Sequence, residues 1–194
     1  MRAAIYTAIP FLVLIGLVGC SRTGAPDYPV AYHRALQTMT PAALPADAAD
    51  RFAALYEQVD QPGYEARTRA FYAPRLYFND TLTTLDSADQ LVAHLGRMHD
   101  SGVRIDVEIE DQLTNGRDLY LRWSMVAAIS VLGRPRTSST IGFSHLRFDT
   151  DGRVILQQDF WDPVQGLYRH VPMLGGAIDS VRKRFDPEPN SNVD

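Results

Sequence analysis

The sequence has little cysteine and none of the familiar catalytic motifs. Its 194 residues include 1 cysteine, Cys20, so no disulfide can form within the chain, and stability must come from packing. The five histidines are scattered along the sequence: His33, His94, His99, His145 and His170. Without cysteine partners at suitable spacing, they do not predict a zinc site. No GxSxG elbow, P-loop or cysteine–histidine pair is present, which disfavours nucleophilic and phosphoryl chemistry.

The charge is low, and the composition is that of a globular protein. A formal net charge of -4 gives no reason to expect nucleic acid as a partner. Hydrophobic residues make up 45% of the chain, enough for a sizeable core. We therefore expect a packed domain that needs no metal and no cofactor.

The N-terminus carries the pattern of a secretory signal. Arg2 precedes an almost wholly apolar run, 3–18, which ends at Leu17-Val18-Gly19-Cys20. A positive start, a short apolar run and small residues before a break are typical of a signal peptide. The run is interrupted by Pro10 and falls short of the roughly 20 residues that a membrane-spanning helix needs. We predict a signal peptide over residues 1–19.

Leu-Val-Gly-Cys also resembles the lipobox of bacterial lipoproteins. That resemblance implies that Cys20 becomes the N-terminus and carries lipid, palmitate included. Ser21, rather than an aspartate, then implies sorting to the outer membrane, with the protein facing the periplasm. An ordinary signal peptide, or a small anchor helix with a chance cysteine, is the alternative.

The remainder divides into a tether, a folded domain and a tail. Residues 20–46 contain four prolines and small residues with little periodicity, which predicts a flexible tether, although Val30–Met39 could form a helical turn or two. The folded domain is predicted over 47–162, beginning at a possible N-cap, Asp47. Residues 163–194 are predicted to form a C-terminal helical tail that starts behind the Asp162-Pro163 cap.

Helical periodicity is concentrated in the first half of the domain. Phe52, Leu55, Tyr56 and Val59 follow helical spacing. A short second helix is predicted over 67–72. Ser87-Ala88-Asp89-Gln90 has the form of a capping box at the head of an apolar stripe that reaches Met98.

The second half changes to extended segments separated by turns. Segments 103–113, 118–131, 135–149 and 153–161 are rich in branched and aromatic residues. Because short turns join them, they predict an antiparallel meander. Helices followed by such a sheet indicate an α+β fold with the helices on one face.

Four passages resemble the NTF2-like superfamily, and its SnoaL-like branch in particular. They are Phe71–Asp80, Gly142–Asp149, Asp151–Val154 and Asp159–Asp162. The resemblance implies a cone in which N-terminal helices pack against a curved antiparallel sheet that encloses a pocket. It also implies relatives that are polyketide cyclases and isomerases acting on apolar substrates, and pairing of domains through the convex face of the sheet.

Alternation along the strands selects the pocket residues, because side chains two apart face the same way. On the last strand, Gln157, Asp159 and Trp161 share a face. On strand 118–131 the odd positions are apolar, so we expect Trp123 and Met125 to point inward, with plain core filling as the alternative. The resemblance adds Tyr77 and Asp80 at the mouth, although Asp80 is equally suited to capping a turn.

Asp159 is the candidate catalytic residue. A carboxylate in an apolar pocket has a raised pKa and can act as a general acid or base. Many relatives have a histidine where this chain has Gln157, which cannot exchange protons near neutral pH. A structural role, with Asp159 satisfied by backbone donors or an arginine, is the alternative.

Two functions remain open at this point. The first is a membrane-anchored module that binds a small apolar or amphipathic molecule or another protein. The second is a cyclase, isomerase or hydratase with Asp159 as acid–base. We expect a homodimer, with Arg122, Ser124 and His145 placed on the outer face of the sheet.

Overall fold

A computed structural model describes residues 27–131 and 133–185. Cys20 and the signal peptide lie outside the described residues, so lipidation stays a prediction. No helix in the described part of the chain is long and apolar enough to cross a membrane.

The fold is α+β, as the sequence predicts. The helices are α1 (Tyr28–Thr38), α2 (Ala48–Glu57), α3 (Tyr64–Phe71), α4 (Ala88–Asp100), α5 (Pro163–Gly166) and α6 (Leu174–Arg182), with a 3₁₀ turn at Tyr168–His170. The strands are β1 (Tyr72–Asn79), β2 (Thr84–Ser87), β3 (Arg104–Asn115), β4 (Asp118–Val131), β5 (Arg134–Phe148) and β6 (Val154–Trp161).

The six strands form one sheet in the order β2-β1-β6-β5-β4-β3. The predicted antiparallel meander is confirmed, since β3 to β6 pair consecutively. β1 joins the meander in parallel with β6, which brings the two halves of the chain together. The sequence analysis did not predict β2, a 4-residue edge strand.

Helix α4 has a side-chain cap at its N-terminus and a buried apolar stripe along one face. The side chain of Ser87 accepts a hydrogen bond from the Gln90 backbone, as the predicted capping box requires. Gln90 Oε1 reaches back to the Asp86 backbone N–H, one residue before the N-cap. Its apolar stripe is buried, with Leu91 and Leu95 at 0% and 2% exposure. Together with α2 and α3, the helix covers the concave face of the sheet and closes the core.

The flexible tether extends less far than predicted, because residues 28–38 form α1. This helix packs on the outer face of the sheet, where Ala35 lies against Tyr77 and Leu156. Arg147 donates hydrogen bonds to the Leu36 and Met39 carbonyls at its C-terminal end. The surface on which α1 packs is thus distant in sequence. The weak hydrophobic periodicity of residues 28–38 did not predict this packing.

His145 lies on the outer face of the sheet, as the sequence analysis expected, but α1 covers it. It is 1% exposed beneath α1. Its Nδ1 lies 2.7 Å from the Tyr32 hydroxyl and its Nε2 lies 2.8 Å from Asp118 Oδ1. Burial lowers the pKa of His145, against the opposing effect of Asp118. Arg122 does lie on the surface, where it pairs with Glu110 at 3.2 Å.

Candidate functional site

A cavity of about 300 Å³ opens inside the cone. Helices α2 and α4 form one wall, the concave face of the sheet forms another, and the turn after α5 reaches its edge. The lining is mainly aromatic and aliphatic, with Phe52, Phe78, Leu95, Met98, Ile105 and Trp123 among its side chains. A cavity of this size and character suits a small apolar molecule.

Asp159 lies on the wall of this cavity, at the middle of the sheet. Asp159 is 7% exposed. The Ser144 hydroxyl, on the neighbouring strand, donates to Oδ1 at 2.6 Å. Gln157 shares its face of β6 and places Nε2 3.0 Å from each carboxyl oxygen. The partners of the carboxyl group are thus side chains, whereas the structural alternative named backbone donors or an arginine.

Gln157 connects Asp159 to two buried tyrosines. Its Oε1 accepts a hydrogen bond from the Tyr72 hydroxyl at 2.6 Å. Its Nε2 also donates to the Tyr56 hydroxyl at 2.8 Å. Of the two tyrosines, Tyr56 lines the cavity. The glutamine therefore joins the carboxyl group and the hydroxyl of a cavity-lining tyrosine in one network.

Burial raises the pKa of Asp159 to about 7. The hydrogen bonds from Ser144 and Gln157 act in the opposite direction, and the charge of nearby Asp80 adds to the increase. A carboxyl group with such a pKa is partly protonated at neutral pH and can both accept and return a proton. Burial, followed by the Asp159 charge, raises the pKa of Tyr56, so this hydroxyl keeps its proton.

Asp80 and His94 form a second polar group on the cavity wall. Asp80 caps a turn, as the sequence analysis allowed, by accepting hydrogen bonds from the Leu82 and Thr83 backbone at Oδ1. Its Oδ2 lies 2.9 Å from His94 Nε2. Arg97 donates a hydrogen bond to His94 Nδ1, so this nitrogen is the acceptor. We therefore assign the ring proton to Nε2, the nitrogen that faces Asp80.

The structure brings most of the sequence-predicted site residues to the cavity. Trp123, Met125, Trp161, Asp80 and Asp159 all line it. Gln157 lies behind Asp159 and acts through it.

Tyr77 is the exception among the predicted pocket residues. It faces the outer side of the sheet, where its hydroxyl donates to Gln158 at 2.7 Å and its ring packs near Tyr32. Strand alternation explains the difference, because the neighbouring Phe78 is the residue that faces inward.

Three contributors were missed by sequence reasoning. Tyr56 was part of the apolar helical stripe, which gives no sign that its hydroxyl reaches a carboxyl network. Ser144 and His94 lie 15 and 65 residues before Asp159 in the chain, and only strand pairing and helix packing bring them near it. Within 27–131 and 133–185, no three histidine, cysteine, aspartate or glutamate side chains are grouped so that they could hold a metal ion.

Gly142 is a sensitive point of this site. A Cβ added there would lie 2.5 Å from the Trp123 ring and 2.9 Å from the Phe160 carbonyl oxygen, and both contacts are too short. Trp123 in turn donates its Nε1 proton to Ser144, the residue that donates to Asp159. We expect Gly142→Ala to lower the free energy of unfolding by about 1–3 kcal/mol, because overpacking forces side chains and backbone to move.

Chemical denaturation would measure this loss, with Gly176→Ala as the matched control. Nothing lies within 4 Å of a Cβ at Gly176, which is in α6, so there alanine should be neutral or stabilising. Equal stability of Gly142→Ala and the wild type would show that the Trp123 packing is not as tight as the structure indicates.

Many solved structures have the same architecture, although comparison by sequence gives no match. No protein-family model matches the chain, and no curated protein matches it in sequence. An LEH-like epoxide hydrolase from M. tuberculosis superimposes with a TM-score of 0.50 at 18% identity, covering 70% of this chain and 93% of that one. A protein from Shewanella denitrificans assigned to the SnoaL-like polyketide cyclases gives 0.52 at 18% identity, covering 62% and 94%.

A third structure, from Catenulispora acidiphila, has a ketosteroid isomerase-like fold and was solved with trimethylamine. Its TM-score is 0.52 at 16% identity, with 64% of this chain and 92% of that chain covered. At these identities the likeness establishes the fold. The chain has the NTF2-like cone that the four sequence passages implied.

Proposed function

We propose that the cavity binds a small, largely apolar carbonyl compound and that Asp159 moves a proton at the carbon next to the carbonyl. The observation that carries this proposal is a carboxyl group with a pKa of about 7 on the wall of an open apolar cavity. The activity would be that of a cofactor-independent isomerase or cyclase.

The ionised form of Asp159 is the base in this scheme. Near neutral pH a substantial fraction of the molecules carries the carboxylate, and apolar walls keep water from competing for it. The proton is taken from the substrate carbon and then returned by the same carboxyl group to another carbon, or to the same one. No other reactant is needed.

The developing enolate oxygen requires a hydrogen-bond donor, and Tyr56 is suited to this role. Tyr56 lines the cavity, and its hydroxyl stays protonated. Gln157 fixes its oxygen relative to Asp159. A donor held in place before the reaction stabilises charge that appears in the transition state.

Known structures with this fold include an epoxide hydrolase of the LEH-like type and a protein assigned to the polyketide cyclases. The fold therefore occurs in proteins that are named for enzymatic activities. The assignment to this chain rests on the Asp159 geometry and not on those likenesses.

Exchange of deuterium from solvent into bound ketones tests the proposal, because a protonated Asp159 that exchanges its proton with D₂O returns a deuteron to the substrate carbon. The full chain would be incubated in D₂O with a panel of small apolar ketones, and loss of the α-proton signal would be followed by NMR. We expect faster exchange than in buffer for those ketones that fit a cavity of about 300 Å³. The rate should rise with pH through about 7, as the base ionises.

A non-catalytic binding module is the second candidate. It is favoured by the engagement of Asp159, whose Oδ1 accepts hydrogen bonds from both Ser144 and Gln157. Ketones that bind and raise the melting temperature without exchanging would support this candidate against the catalytic one. Absence of both binding and exchange would contradict the cavity proposal itself.

Anchoring through a lipid on Cys20 is a separate proposal, supported by the leader and by the Leu-Val-Gly-Cys sequence. The protein would then lie at the outer membrane and face the periplasm. Cys20→Ser should release the protein from the membrane fraction or leave its precursor unprocessed. Fractionation and gel migration identical to the wild type would contradict lipidation.

A homodimer through the outer face of the sheet also remains a proposal. α1 covers His145, but Ile141, Phe143 and Phe160 stay 72%, 45% and 44% exposed beside Arg122. We expect Phe143→Glu to convert a dimer into a monomer in light scattering. A wild-type protein that is already monomeric at high concentration would contradict the proposal.

A further inference from the structure

Helix α6 leaves its apolar face exposed. Leu174 and Val181 are 43% and 53% exposed, although their spacing places them on one side of the helix. Met173, just before the helix, and Phe185, just after it, are 91% and 83% exposed. An amphipathic helix whose apolar side meets water calls for a partner.

A cluster of cations accompanies this apolar face. Arg182, Lys183 and Arg184 follow one another at the C-terminal end of α6. Arg182 reaches Asp162 only at 3.5 Å, and both side chains are about half exposed, so this pair neutralises little of the cluster. The whole chain has a net charge of -4, which makes this basic segment a local exception.

The segment lies close to the mouth of the cavity. Gly166 and Leu167, at the end of α5, line the cavity, and the 3₁₀ turn at Tyr168–His170 leads from them to α6. α6 then packs on that turn, where Gly175 lies directly against the Arg169 carbonyl. Leu82 also lines the cavity, and its apolar side chain is 45% exposed.

We infer that α6, with Met173 and Phe185 at its two ends, docks on an anionic membrane surface. The apolar side chains enter the boundary between head groups and acyl chains, and Arg182, Lys183 and Arg184 contact lipid phosphates. Docking would place the cavity mouth at the lipid surface, from which an apolar molecule can enter. The inference requires neither catalysis by Asp159 nor lipid on Cys20.

Charge favours a lipid surface over a second copy of this chain. In a two-fold symmetric contact the same basic patch occurs on both subunits, so a second copy offers this cluster no acidic patch in return. An anionic bilayer offers an apolar layer and opposite charge together. Basic amphipathic helices with exposed aromatic or aliphatic residues bind such surfaces in general.

A fluorophore on α6 tests the docking directly. The full chain carrying Cys20→Ser and Ala177→Cys would be labelled with an environment-sensitive thiol dye and mixed with vesicles, and flotation would measure the vesicle-bound fraction of the protein. We expect a blue shift of the emission with phosphatidylglycerol-containing vesicles and none with pure phosphatidylcholine vesicles. High salt should reverse the shift, because the cations are exposed.

Two controls separate docking from other causes. The dye at Leu113→Cys, a 60% exposed site at the far end of β3, should show no shift. Arg182→Glu with Lys183→Glu should abolish the shift at position 177, whereas Arg75→Glu with Arg117→Glu, the same charge change elsewhere, should leave it intact. The inference is overturned if the emission of the dye at position 177 does not shift, or if it shifts equally at positions 177 and 113. It is also overturned if the shift depends on the amount of protein per vesicle and not on lipid charge. That result would identify a second copy of the chain as the partner.

Discussion

Asparagine in place of Asp159 is expected to slow proton transfer at a bound ketone by a factor of about 10²–10⁴, the usual contribution of a positioned acid–base group. The amide has nearly the same shape as the carboxyl group and still offers an oxygen to Ser144 and Gln157. It cannot accept a proton near neutral pH. NMR measurement of deuterium exchange, compared with the wild type on the same ketone, gives the factor.

Tyr56→Phe and Tyr77→Phe form a matched pair for this experiment. Each removes one buried tyrosine hydroxyl that is hydrogen-bonded to a glutamine of β6, on opposite faces of the sheet. Of the two, only Tyr56 lines the cavity. Loss of its hydroxyl should cost about 10²–10³ in rate, as for other donors to a developing oxyanion. Equal rates in Tyr56→Phe and Tyr77→Phe would remove Tyr56 from the mechanism, and an undiminished rate in Asp159→Asn would remove the carboxyl group.

The second large effect is on stability as a function of pH. The pKa of Asp159 is about 7 in the folded protein against 3.8 for an exposed aspartate, so the folded state binds the proton more tightly. Stability from this group is therefore fully present below about pH 4 and is lost as the pH rises to 7 and above. About three pKa units correspond to a loss of about 4 kcal/mol.

Asp159→Asn should lack this loss. Its free energy of unfolding is expected to change little between pH 4 and 8 relative to the wild type, so the two curves should converge or cross as the pH rises. Urea denaturation at several pH values, expressed as the difference between variant and wild type, removes the contributions of other titrating groups such as His145. A parallel pair of curves would mean that Asp159 has an ordinary pKa and is not the desolvated carboxyl group described above.

A good part of the fold was determined by local pattern. The capping box and stripe of α4, the long strands with turns between them, and the Asp162 cap of α5 all follow from short-range chemistry. Strand alternation also placed Trp123, Met125, Asp159 and Trp161 at the cavity. Such predictions succeed because neighbours along the chain set both the element and the side on which each residue lies.

Other features were decided only by tertiary structure. The sequence allowed only a helical turn or two within the predicted tether. The full α1 is held by Arg147 and His145, which lie more than 100 residues away along the chain. Tyr77 and Phe78 are adjacent in sequence and of similar character, and only the pairing of β1 with β6 decides which of them faces the cavity.

The same holds for the chemistry of Asp159. The sequence determined that a carboxyl group lies on the inner face of the last strand. Its pKa depends on burial, on Ser144 from β5 and on the charge of Asp80 beyond β1. These groups are far apart along the chain, and desolvation and Coulomb interactions act through space, so the reactivity of this residue is a property of the folded protein alone.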